Sequence, residues 1–221
     1  MTREVKIDVW SDIACPWCYI GKRNLERAVA GLGADASAQV DFHSFELAPD
    51  TPVDFEGSET DYLAQHKGIS REQAAAMQER VTRIAAEAGL EYHFERVRHT
   101  NTAKAHQLLH YARARGRQSE MTERLMRAYF TEGRHLGRDE DLAALAAEVG
   151  FAADDVLRSL REQEYLAAVR EDEAQAAAYG IRGVPFFVIN GRYALQGAQP
   201  PEVFAEALRT VAAEQVLPGK P

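Results

Sequence analysis

The sequence predicts an α/β fold in which one mixed sheet, flanked by helices, is interrupted by a large all-helical insertion. Three observations carry this. Residues 5–10 alternate Val5, Ile7, Val9 with Lys6, Asp8, Trp10, the period of a strand. From about residue 55 to 180 apolar residues recur at helical spacing. Residues 184–195 return to short apolar runs on either side of Asn190-Gly191, a strong local hairpin signal. The expected division is a discontinuous sheet-bearing domain, residues 1–52 and 165–221, around a helical insertion domain, residues 53–164.

The elements follow in order. After the first strand comes Cys15-Pro16-Trp17-Cys18, then a helix through Leu25, Ala28 and Val29 that stops at Gly31 and Gly33. Pro16 suits the first helical position, since its fixed φ matches and its missing N–H is unpaired there anyway; Cys15 then falls at the N-cap. Residues 39–47 read as a second strand, ended by Pro49 and Pro52. Ser70-x-x-Gln73 is a capping box opening an Ala-rich helix that runs to Gly89. Asn101 and Thr102 cap the next helix, with Leu108 and Leu109 on one face. Leu142, Leu145 and Val149 mark another, closed by Gly150, and a long helical segment runs from Gln163 to Tyr179. Strands at 184–189 and 192–195 and an amphipathic helix after Pro200-Pro201 complete the chain.

Charge and composition exclude several classes. Against 26 Lys and Arg stand 34 Asp and Glu, a net charge of −8, so general attraction to nucleic acid or an anionic membrane surface is not expected. No apolar run approaches the roughly 18 residues of a membrane span. Two cysteines are too few for a disulfide scaffold or a four-cysteine zinc ribbon. Met1-Thr2-Arg3-Glu4 leads directly into the first strand without a signal-like apolar stretch, so the expected compartment is the cytosol. Thiols there are kept reduced, and a cysteine pair points to catalysis, redox sensing or metal binding rather than to a structural bridge.

A strand–turn–helix with Cys-x-x-Cys at the helix start is the thioredoxin arrangement. The chemistry has a physical basis: a sulfur at a helix N-terminus faces unpaired backbone N–H groups and the positive end of the macrodipole, and both favour thiolate over thiol. Cys15, at the exposed helix tip, is the expected nucleophile, and Cys18, one turn in and more buried, the resolving thiol. Pro16 stiffens the loop and Trp17 offers a face for a partner. An inert pair, or two ligands of a zinc or copper site, remain alternatives; no second Cys pair or nearby His completes a tetrahedral zinc site, so no metal is assigned. His106 and His110, spaced i, i+4 without a Glu between them as in His-Glu-x-x-His, read as surface or interface histidines. Asp8 is placed either as a buried proton acceptor for the resolving thiol or as a solvent-facing strand carboxylate. Residues 104–138 hold eight Lys/Arg and three Glu, read as solvated helix faces or as a patch guiding an anionic partner such as glutathione.

Cys15-Pro16-Trp17-Cys18 after a strand, with Gly183-Val184-Pro185-Phe186-Phe187-Val188-Ile189-Asn190-Gly191, resembles the DsbA family of thiol–disulfide oxidoreductases. Trp10-Ser11-Asp12, Asn101-Thr102-Ala103-Lys104-Ala105-His106 and Gly197-Ala198-Gln199-Pro200 are similar to its FrnE-type branch. The resemblance implies a thioredoxin fold, a cis Pro185 against the cysteine pair, and a Val184 backbone that pairs with an extended substrate. It implies dithiol–disulfide exchange through Cys15 and Cys18 with protein or small thiol substrates, glutathione among them, and no organic cofactor. Asn101 and His106 would line the groove above the cysteines, unless they are a plain helix cap and a packing histidine. The Pro-Trp pair departs from the Pro-His of the periplasmic oxidase, which puts a strongly oxidising potential in doubt. The same superfamily contains glutathione-dependent 2-hydroxychromene-2-carboxylate isomerases and kappa-class transferases, the alternative reading, which typically carry serine where Cys15 stands.

Overall fold

The computed structural model describes residues 3–33 and 36–214; Met1, Thr2 and residues 215–221, expected to belong to the sheet-bearing part, lie outside them. The order is β1 (Arg3–Ser11), α1 (Pro16–Ala30), β2 (Ala36–Ser44), α2 (Glu59–Lys67), α3 (Arg71–Glu87), α4 (Ala103–Arg113), α5 (Gln118–Phe130), α6 (Asp139–Glu148), α7 (Ala153–Arg161), α8 (Leu166–Ala178), β3 (Phe186–Ile189), β4 (Tyr193–Gln196) and α9 (Pro201–Glu214). The sheet runs β2-β1-β3-β4, with β1 and β2 parallel and the other two pairings antiparallel. It is the mixed sheet and thioredoxin fold the sequence predicts.

Strand alternation decides what each face meets. Val5, Ile7 and Val9 share a core with Leu25 and Ala28 of α1 and Phe204, Leu208 and Val211 of α9. Trp10 points the other way and packs with Ala176 of α8 and Ile181. In the β3–β4 turn Asn190 and Gly191 adopt φ of 48° and 66°, the two positive values a type I′ turn requires. Ser70 and Gln73 form the expected reciprocal capping box at α3.

Several boundaries differ from the sequence reading, among them the start of β2 at Ala36 rather than residue 39 and of β3 at Phe186 rather than residue 184, and two differences have a local cause. Strand β2 ends at Ser44 rather than residue 47, because the Leu47 N–H is taken by the Asp12 carboxylate (2.8 Å) instead of a strand neighbour. The segment expected to be helical from Gln163 does not begin until Leu166: Gln163 has φ of 53°, a left-handed residue that separates α7 from α8.

The helices between β2 and α8 are tied to the sheet at several levels. α3 packs on α1, α4 on α8 and α5 on β2. The Gln118 side chain of α5 donates to the Phe42 carbonyl (2.8 Å) and accepts from the Phe42 N–H (3.0 Å), satisfying one residue of an edge strand as a neighbouring strand would. On the face opposite α1, His43 lies with Nδ1 2.7 Å from Asp172 Oδ1 and Nε2 2.9 Å from Asp8 Oδ1. Carboxylate oxygens only accept, so both ring nitrogens carry hydrogen and the ring is an imidazolium. Burial alone would lower its pKa; the two carboxylates reverse this and raise it. Asp172 also receives the Ser44 N–H (2.8 Å) and lies 3.1 Å from His110 Nε2. This removes Asp8 as a proton acceptor for Cys18: it belongs to the sheet face away from α1.

Candidate active site

Cys15 is the N-cap of α1, in extended conformation with φ −88° and ψ 113°, and Pro16 occupies the first turn. Its own N–H donates to the Asp12 carbonyl (3.1 Å) and its carbonyl accepts the Cys18 N–H (3.0 Å), so the loop is held by backbone bonds on both sides. Tyr92 adds a third tie, donating its hydroxyl to the Pro16 carbonyl (2.7 Å). Both cysteines are free thiols. The Cys15 thiol donates to the Val184 carbonyl at 3.7 Å, and the Val184–Pro185 bond is cis. Pro185 reaches this position because α1 carries Gly21 beneath it: a Cβ there would stand 3.1 Å from Pro185 Cγ and 3.2 Å from Phe187 Cζ.

Cys15 is 4% exposed, not the open helix tip the sequence suggested, and Cys18 is 2% exposed. The reason is non-local. Cys15 and Cys18 share one apolar cluster with residues of α3 through α7, and the space left beside Cys15 is a pocket of about 280 Å³. Cys15, Pro16 and Trp17 line it together with residues of the β2–α2 connection, α2 and α3; Val184 and Pro185 do not. Cys15 therefore stands between the pocket and the Val184 carbonyl. Burial pushes the Cys18 thiol well above the usual thiol range, and Cys15 adds to the rise; the Ser11 hydroxyl and the Asp12 amide pull weakly the other way. Cys18 is thus held as a neutral thiol.

Sequence reasoning missed Asp12 as a chemical group. It is 2% exposed, and its carboxylate accepts the Ala14 N–H (3.2 Å) and the Leu47 N–H (2.8 Å). It also lies 3.4 Å from Nε2 of His106, itself 1% exposed. Burial would raise the Asp12 pKa, but His106 and the two amides outweigh it and the net shift is downward. Burial would likewise lower that of His106, which Asp12 and the more distant Glu46 and Glu173 reverse. An Asp closing a turn onto the N–H two residues on is a local signal; its partner, 94 residues away in sequence, is not. Asn101 Oδ1 accepts the Ala103 N–H at 2.9 Å, whereas Thr102, the N-cap of α4, makes no side-chain cap bond; neither Asn101 nor His106 lines the pocket. Nor do His106 and His110 act together, since His110 bonds Ser44 and Asp172. Among the described residues no group of three or more His, Cys, Asp or Glu side chains is placed to hold a metal. Most arginines of the basic stretch are engaged with carboxylates, as Arg124 is with Glu132 and Glu148.

Two free cysteines at a helix start, beside a cis-proline loop on a β-α-β and β-β-α frame, are the arrangement of a thioredoxin-type fold. The chain belongs to the DSBA-like thioredoxin domain family, which it matches over residues 6–209. It is similar to the crystal structure of the probable DsbA oxidoreductase of Streptomyces coelicolor, at 38% identity and a TM-score of 0.89, covering 98% of this chain and 93% of that one. The uncharacterized YwbO protein of Bacillus subtilis is 29% identical over 92% of this chain and 96% of its own. The cytosolic disulfide reductase DsbM of Pseudomonas aeruginosa, also solved with glutathione, shares the fold at 18% identity and a TM-score of 0.66, over 95% of this chain and 99% of that one. Among the described residues no helix is long and apolar enough to cross a membrane.

Proposed function

We propose that this protein is a dithiol–disulfide oxidoreductase of the FrnE-like branch in which Cys15 is the nucleophile and Cys18 the resolving thiol. The observation that carries the reading is the pair of free thiols at the start of α1, with Cys15 Sγ 3.7 Å from the Val184 carbonyl. In the reductive direction the Cys15 sulfur attacks a substrate disulfide, forms a mixed disulfide and releases one thiolate. Cys18 then gives up its proton and attacks Cys15 Sγ, which releases the second substrate thiol and leaves a Cys15–Cys18 disulfide. Two electrons have passed to the substrate, and a thiol donor such as glutathione returns them. Pro16 holds the loop, Trp17 offers an exposed face, and Val184 with Pro185 presents backbone to an extended substrate. The neutral Cys18 thiol supports this order of events, because it waits as a proton-bearing group until the mixed disulfide has formed.

The compartment is a reducing one, the cytosol. There the glutathione poise lies well below the potential of the strongest oxidases, so reduction or isomerisation is the favoured direction. The presence of Cys15, rather than serine, argues against a glutathione-dependent isomerase. Turbidimetric reduction of insulin by dithiothreitol tests the reading. Wild-type protein accelerates it, Cys15→Ser does not, and Cys18→Ser accumulates a mixed disulfide visible by intact mass. Equal rates for wild type and Cys15→Ser would overturn it.

A further inference from the structure

Resting on that assignment of Cys15, we propose that the preferred substrate is a low-molecular-weight disulfide with an aromatic, anionic arm, which enters the pocket beside Cys15. The pocket measures about 280 Å³; a cavity of about 150 Å³ takes a benzene ring. A substituted ring with its sulfur fits.

The walls favour a ring. Trp17, next to the nucleophile, is 38% exposed, Leu47 is 44% and Met77 42%. All three line this pocket, although large apolar side chains are seldom left so open elsewhere on the described surface. Tyr62, also on the lining, stacks on both His99 and His66, with ring centroids 3.4 and 5.3 Å away, an aromatic wall held by the His99 Nδ1 contact to Glu59 (2.8 Å). Offset stacking on such a wall selects planar groups.

One lining side chain offers a counter-charge to an anionic arm. Of the charged side chains lining the pocket, Asp12 is buried against His106, and Glu59 is held by His99. Lys67 is exposed and lines the pocket without a carboxylate partner among the described residues. An arm with a carboxylate on its ring satisfies both walls and leaves the disulfide at Cys15 Sγ. The sulfur attacks the nearer substrate sulfur, the aryl thiolate leaves, and Cys18 resolves as described. One disulfide is reduced to two thiols while the protein dithiol is oxidised.

The test uses pre-reduced full-length protein in single turnover against 5,5′-dithiobis(2-nitrobenzoate), which is aromatic and anionic, 4,4′-dithiodipyridine, aromatic without the carboxylate, and hydroxyethyl disulfide. Each rate is divided by that of N-acetylcysteine with the same probe, which removes intrinsic reactivity. The expected normalised preference for the nitrobenzoate over hydroxyethyl disulfide is at least about tenfold. Leu47→Gln and Met77→Gln lower that preference, and Lys67→Gln lowers the nitrobenzoate rate by about threefold while changing the dipyridine rate less. 4-Nitrobenzoate, which has the ring and carboxylate but no sulfur, slows the nitrobenzoate reaction competitively. A normalised preference near one, or no competition, overturns the proposal while leaving dithiol chemistry intact. A peptide disulfide preferred over all three probes also overturns it, in favour of an extended protein substrate. Thiol release with none of the disulfides would instead sink the assignment of Cys15.

Discussion

Asp172→Asn is the substitution with the largest stability effect that the structure lets us work out. The Asp172 side chain is about one-tenth exposed and takes three donors: His43 Nδ1 at 2.7 Å, the Ser44 N–H at 2.8 Å and His110 Nε2 at 3.1 Å. Burial alone would raise its pKa, and these donors hold it far below the usual carboxylate range. An asparagine keeps one acceptor oxygen but turns an NH2 toward the remaining donors and leaves the His43 imidazolium half paired. Breaking a buried pair from one side costs roughly 3–5 kcal/mol, a large share of the about 5–15 kcal/mol that holds a domain folded. With a urea slope of about 1–3 kcal/mol per molar, the unfolding midpoint should fall by about 1 M or more. The pH dependence gives a second readout. Asp172, with its folded pKa depressed, contributes stability that is present above its unfolded value of 3.8 and lost as pH falls through the folded one. His43, with its folded pKa raised, contributes stability that is complete below 6.5 and lost as pH rises through the folded value. The gap between wild type and Asp172→Asn is therefore widest between those values and narrows toward alkaline pH. A loss under about 1 kcal/mol, or a gap that widens as pH rises above 6.5, would refute the reasoning. Because Asp172 lies across the sheet from α1, the folded variant should still exchange disulfides.

In a histidine ring NMR titration His43 and His106 should titrate above 6.5 and His135, lowered first by burial and then by Arg138, below it. The Asp12–His106 pair should accordingly support the fold most fully between 3.8 and 6.5, and less as pH rises past the folded His106 value or falls through the folded Asp12 value. Tyr92→Phe deletes the bond to the Pro16 carbonyl and should cost about 1 kcal/mol in urea unfolding; no loss would mean the loop is held without it. Gly133→Ala should cost roughly 1–3 kcal/mol more than Gly68→Ala in a thermal melt. Both glycines have positive φ, but only the Gly133 Cβ would meet a backbone oxygen, that of Arg96 at 2.5 Å.

What the sequence made legible was local. Pro16 at a helix start, the Ser70-x-x-Gln73 box and Asn190-Gly191 each act over two to four residues, so their signals survive without knowledge of the fold. The misplacement of Asp8 was avoidable in principle: strand alternation puts it with Lys6 and Trp10, opposite the Val5, Ile7 and Val9 face that α1 covers. The burial of Cys15 was not legible. Nothing near residue 15 encodes that α2 and α3, over forty residues later, close beside it. The left-handed Gln163 that splits α7 from α8 carries no compositional mark either, since glutamine is a good helix former.

The consequence concerns where specificity resides. In a bare strand–turn–helix the N-cap sulfur faces solvent and reacts with whatever collides with it. Here the helical segment ties itself to that turn at three points: Tyr92 to the Pro16 carbonyl, His106 to Asp12, and Glu123 to Tyr19, Lys22 and Arg23 of α1. Those ties join the helical segment to the cysteine-bearing helix, and α1 and α3–α7 share one apolar core. Under the proposed function, reactivity is set by residues 12–18 and selection by the β2–α2 connection, α2 and α3. Two chains with the same Cys-Pro-Trp-Cys can differ entirely in what they reduce, and a change at Met77, far from the motif in sequence, acts on the choice of disulfide without touching either sulfur.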